Sequence, residues 1–118
     1  MVVTHIDLDH IGGAIELLQD DSLGLQIDDI WFNDYHHLSD EPPKRGALQG
    51  EFLGNMLTES ELPWNKAFRG GPVRVEPNRP LPRVRLQGDL TLVLLSPTPQ
   101  KLLALRSEWE MTLTDARK

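Results

Sequence analysis

Four side chains able to bind a metal or move a proton fall within six residues of one another: His5, Asp7, Asp9 and His10. Imidazoles and carboxylates are the usual nitrogen and oxygen ligands of zinc, manganese and iron. His5 and Asp7, two apart, leave an extended segment on the same side. Asp9 and His10 are adjacent and diverge toward two nearby points, a layout that suits one loop serving two ions. Blander roles exist for the same residues: Asp9 as a helix N-cap, His5 as a satisfied histidine closing a strand.

Such a cluster has to be held by a strand before it and a helix after it. Met1–Thr4, with two valines and a threonine, predicts a short buried strand, and His5–His10 the loop leaving it. From Ile11 the pattern turns helical: Ile11, Ala14, Ile15 and Leu18 share one face, and the helix stops near Asp21-Ser22. Its positive N-terminal end would point at the cluster and favour carboxylates or phosphate there. Gly12 and Gly13, poor helix formers, suggest a close approach to the backbone.

Further along, Asp28–Asn33 predicts a second strand and Tyr35–Gly46 a loop carrying His36, His37 and the Lys44-Arg45 tip. His36 and His37 are expected in a solvated turn, with the mouth of a site as their functional alternative. Gln49–Thr58 predicts a short helix and Leu62–Gly71 an irregular stretch. Val73–Glu76 and Val84–Leu86 read as edge strands divided by prolines. Leu90–Leu95 is nearly continuously apolar, which predicts a strand buried on both faces. Thr98-Pro99 is an N-cap followed by proline at the first helical position, opening a helix striped by Leu102, Leu105, Trp109 and Leu113. Trp31, Trp64 and Trp109 read as core or interface aromatics. Strands and helices alternate, so the predicted class is α/β, a mixed sheet with flanking helices.

Composition narrows the function. The 118 residues carry a net charge of −6, which argues against a general electrostatic partnership with nucleic acid. There is no cysteine, so disulfides and thiolate zinc sites are excluded. No apolar run approaches a membrane span and no secretion signal is visible, so a cytoplasmic setting without a membrane partner is expected.

The stretch THIDLDHIGG resembles the signature of the metallo-β-lactamase fold superfamily, His-x-His-x-Asp-His followed by Ile-Gly-Gly. Asp7 stands where the second histidine usually is, as in hydrolases resembling the competence-protein-type branch. WFNDYHHL, PWNKAF and LTLVLLSPTPQKL are weaker points of likeness to the same branch. The resemblance implies an αββα sandwich, with His5 and Asp7 on a first divalent metal and Asp9 and His10 on a second. Zinc is the first choice, manganese or iron the others. Asp9 would also orient the attacking water, and the substrate would be a small-molecule ester or a phosphodiester.

The superfamily completes its site with a later histidine, a bridging aspartate in a Gly-Asp turn, and a final histidine. His36 and His37 come too early for these, and Gly88-Asp89 precedes the strand Leu90–Leu95 rather than following it. The expectation is one incomplete domain over residues 1–118, cut at both ends and with little or no activity. The alternatives are a non-catalytic α/β interaction module that meets a second chain or another copy of itself, and a gene fragment.

Overall fold

A computed structural model describes residues 1–40 and 48–116. In chain order the regular elements among these residues are α1 (Leu8–Gln19), α2 (Leu48–Glu59), β1 (Arg83–Arg85), β2 (Thr91–Val93) and α3 (Pro99–Ala116), with two 3-10 turns between α1 and α2, one between α2 and β1 and one between β1 and β2. The class is α/β in the general sense: among the described residues there are three helices and one two-stranded antiparallel sheet.

The first part of the chain is organised by parallel pairing without regular ladders. Val2 bridges Trp31 and Ile30 bridges Trp64, both parallel. Val3 N–H donates to Trp31 O at 2.9 Å, and Ile30 N–H to Pro63 O at 2.8 Å. Three extended segments therefore lie side by side, with residues 30–32 in the middle. The middle one is fully covered. Ile30, Trp31 and Phe32 are buried, whereas Val2 on the outer segment stays half exposed. Met1–Thr4 is thus extended but not the buried strand its β-branched residues predict.

α1 begins at Leu8, three residues before the helical periodicity becomes visible. Asp7 holds the N-cap position with extended φ and ψ of −66° and 143°, without a side-chain cap bond. The expected His5–His10 loop therefore shrinks to three residues, and Asp9 and His10 belong to the first helical turn. An acid there is favoured by the helix dipole. Nothing packs on Gly13, where an added Cβ would meet no atom within 4 Å.

The run Leu90–Leu95 is the clearest departure. β2 pairs only with β1, in the register Arg83↔Val93, Val84↔Leu92 and Arg85↔Thr91. Val84 and Leu92 turn inward, while Leu90 and Leu95 are 56% and 72% exposed. An apolar sequence on both faces of a strand does not supply the second layer needed to cover both. The hairpin turn comes from Gly88 and Asp89, whose φ values are 75° and 62°, a left-handed geometry that glycine adopts freely and aspartate tolerates. Val73–Glu76 forms no strand, yet Val73 and Val75 are buried in alternation.

The core gathers Ile11 of α1, Ile30 and Phe32, Tyr35 and Leu38, Leu53 and Leu57 of α2, and Leu102 and Trp109 of α3. Thr98 caps α3 as expected: its Oγ1 accepts from Lys101 N–H at 3.3 Å and its carbonyl from Leu102 N–H at 3.1 Å.

One fully buried side chain fastens this arrangement. Asn65 Oδ1 accepts from Phe32 N–H at 3.0 Å, and its Nδ2 donates to Phe32 O at 2.9 Å and Gly71 O at 3.0 Å. Asn65→Ala strips a buried N–H of its acceptor, and a buried unsatisfied group costs about 1–3 kcal/mol. Urea unfolding of this variant is expected to show a loss of about 2–4 kcal/mol. A change below about 0.5 kcal/mol would show that the clamp is dispensable.

Candidate functional site

Two histidine clusters leave the same end of the parallel segments. His5 to His10 follows the segment at residues 1–3, and Asp34 to His37 follows residues 30–32. No hydrogen bond, ion pair or ring contact joins the two clusters among the described residues.

In the first cluster the donors pair off. His5 Nδ1 lies 3.4 Å from Asp7 Oδ2, and His10 Nε2 lies 3.7 Å from Asp9 Oδ2. The two imidazoles stack, with centroids 4.8 Å apart and planes 24° from parallel. The structure therefore brings all four predicted residues onto one patch. It does not aim them at one point: among the described residues no group of three or more His, Asp or Glu is placed to hold a metal ion. All four side chains are more than half exposed, at 57%, 67%, 81% and 54% in chain order. The donor types fit a divalent cation. The convergence fits at most one ion held by a His–carboxylate pair, with water filling the other positions, and not a two-metal centre.

The second cluster differs in kind. His37, on a 3-10 turn over Tyr35–His37, is only 5% exposed. Its Nδ1 accepts the Asp34 backbone N–H at 3.1 Å, so the neutral ring carries its proton on Nε2, which donates to Gly70 O at 3.1 Å. His37 is thus a buried structural brace rather than part of the solvated turn expected, and both nitrogens are spent. Burial, and then the neighbouring His36, push its pKa down to about 4; the Gly70 carbonyl and Asp34 oppose this only in part. His36 remains at the surface with Nδ1 3.1 Å from Asp34 Oδ2. Both rings stand edge-on to Trp64. Helix α2 closes over this corner at Gly54, where a Cβ would fall 2.5 Å from Asp34 Oδ2.

Trp31 and Trp109 are buried as core aromatics, in line with the sequence. Lys44 and Arg45 lie outside the described residues. Sequence reasoning missed the fastening roles of Asn33 and Asn65. Asn33 makes a two-way amide contact with Val73, at 2.8 Å to its carbonyl and 2.7 Å from its N–H. Nothing in the local pattern marks an asparagine whose partner lies 40 residues away. No helix among the described residues is long and apolar enough to cross a membrane.

Comparison with protein-family models gives no match, and neither curated proteins nor solved structures show a significant similarity to the chain.

The His37 environment has a pH consequence. Its folded pKa is depressed below the ordinary 6.5, so between those values the unfolded chain binds the extra proton. The stability it contributes is complete above about pH 6.5 and is lost as pH falls toward about 4. An NMR titration of the imidazole should place its midpoint near pH 4. A midpoint at the ordinary histidine value would show that the ring is not held as described.

Proposed function

We propose that this chain is a metallo-β-lactamase-like hydrolase domain, with a partial αββα architecture, whose His5–His10 segment is a weak site for a single divalent cation, zinc first. It has little or no hydrolytic turnover of its own. The observation that carries this reading is the meeting of His5, Asp7, Asp9 and His10 on one patch as two His–carboxylate pairs. The order of extended segment, motif and helix agrees with it. A bound cation would supply a water of lowered pKa and a Lewis acid for an ester or phosphodiester. What the chain's own residues do is narrower. His10 and Asp9, or His5 and Asp7, offer one nitrogen and one oxygen at a time, and Asp9 sits where the helix dipole already favours its charge. Without a third converging ligand, hydrolysis has no fixed nucleophile.

Calorimetric titration with zinc tests this. Weak binding of about one ion per chain is expected, lost in the fourfold variant His5→Ala/Asp7→Ala/Asp9→Ala/His10→Ala that removes both pairs, with no turnover of p-nitrophenyl acetate or bis-p-nitrophenyl phosphate. Absence of binding overturns the cation site. Zinc-dependent turnover removed by Asp9→Ala overturns the claim of inactivity.

A further inference from the structure

The β1–β2 hairpin has two open edges, and only one of them is defended. Leu86 N–H donates to Leu90 O at 2.7 Å and Leu94 N–H to Pro82 O at 2.9 Å. In an antiparallel pair such bonded positions alternate with unbonded ones. With Val84 opposite Leu92, residues 90, 92 and 94 turn their backbone groups toward β1. Thr91 and Val93 turn theirs away. Among the described residues, no bond outside the hairpin uses the Thr91 or Val93 backbone. Both residues are exposed, Val93 at 37%.

An unpaired strand edge is a template for another strand, and proteins guard it with proline and charge. The β1 edge has both: Pro80 and Pro82 lead into it, and Arg83 and Arg85 lie along it. The β2 edge has neither. From Leu90 to Leu95 there is no charge and no proline, and Leu90 and Leu95 are themselves exposed.

The occupant that fits this edge is the same edge of a second copy. A two-fold axis at Leu92 sets Thr91 opposite the partner's Val93, and Val93 opposite the partner's Thr91. Each of these pairs exchanges both of its backbone bonds, so the outward groups at both positions are satisfied. The side chains agree: Leu90 faces the partner's Leu94, and Leu92 faces its own counterpart. Charge points the same way. Two copies that each carry −6 repel, and they meet at least cost where every facing pair is uncharged. The pairing uses up both β2 edges and leaves the guarded β1 edges outermost, so growth stops at two copies.

We infer that β2 is a dimerisation edge: two copies of this chain join antiparallel over residues 90–94 into one four-stranded sheet.

Sedimentation equilibrium from about 10 µM to about 1 mM chain tests this, with a chelator present so that no cation bridges two copies. A monomer–dimer equilibrium is expected with Kd on the order of 0.1 mM, because one strand edge buries less than a standard interface. Amide exchange at Thr91 and Val93 should slow as the dimer forms. The double variant Thr91→Lys/Val93→Lys sets like charges opposite each other and should weaken the dimer about tenfold or more. Thr91→Lys/Val93→Glu sets opposite charges across the same axis and should restore it, which also shows that the hairpin folds with charge at both positions. Monomer throughout, or a dimer indifferent to the paired lysines, overturns the inference. A Lys/Glu variant as weak as the Lys/Lys variant overturns the two-fold register, and species larger than a dimer overturn its closure.

Discussion

The amide of Asn65 is the constraint on which the rest depends. The extended segment at residues 30–32 is central and fully covered, yet it has no regular ladder on either side. Its backbone groups still need partners, because buried N–H and C=O groups left unpaired cost more than the chain can spare. Side chains fill the gap. Asn65 takes both polar groups of Phe32, and Trp64 Nε1 adds a second donor to the same carbonyl at 2.9 Å. Asp29 does similar work one turn earlier, accepting from Trp31 Nε1 and from the Lys66 and Ala67 N–H groups, each at 2.9 Å. Asn65 adopts a left-handed φ of 49° to do this, a conformation asparagine tolerates better than most residues.

Once the central segment is held, the positions of both histidine clusters follow. Parallel segments send their following loops to the same end, so His5 and His36 emerge on one side of the structure. Their environments diverge because only one cluster receives a lid. Trp64 and the turn ending at Gly70 pack against His37, and its burial holds the ring neutral. The N-terminal cluster, beside an uncovered outer segment, stays in water. Tyr35 and Arg106 then tie the second loop to α3: the Arg106 Nε lies 3.2 Å from the Tyr35 hydroxyl, and the guanidinium sits 5.5 Å from the ring centre.

The sequence was most legible where a local signal and its local partner lie within one turn. Thr98-Pro99 predicts the start of α3 because cap and capped group are three residues apart. The predicted Gln49–Thr58 helix lies within α2, Leu48–Glu59. Legibility failed where an outcome depends on what covers an element. Leu90–Leu95 and Met1–Thr4 both have the composition of buried strands, and both lack a covering layer on one side. His37 failed in the opposite sense: a polar residue in a proline-bounded loop is buried because Trp64 and Gly70 close on it from distant parts of the chain. The candidate site was legible in its residue types and proximity but not in its convergence.

That last gap has a definite cause. Residues adjacent in a helix leave the axis about 100° apart, so Asp9 and His10 in the first turn of α1 meet only at their tips, 3.7 Å apart. His5 and Asp7 precede the helix and form a pair of their own, at 3.4 Å. A tight metal site needs its ligands brought in from several elements and each ligand oriented by a further hydrogen bond. Here the carboxylates that could orient the histidines are the same groups that would have to bind the metal. Every one of the four side chains is also free to move in solvent, so ordering them on an ion carries its own entropic cost. Closeness along the chain therefore accounts for a patch of donors, and a centre able to activate water requires a third converging ligand, which none of the described residues supplies.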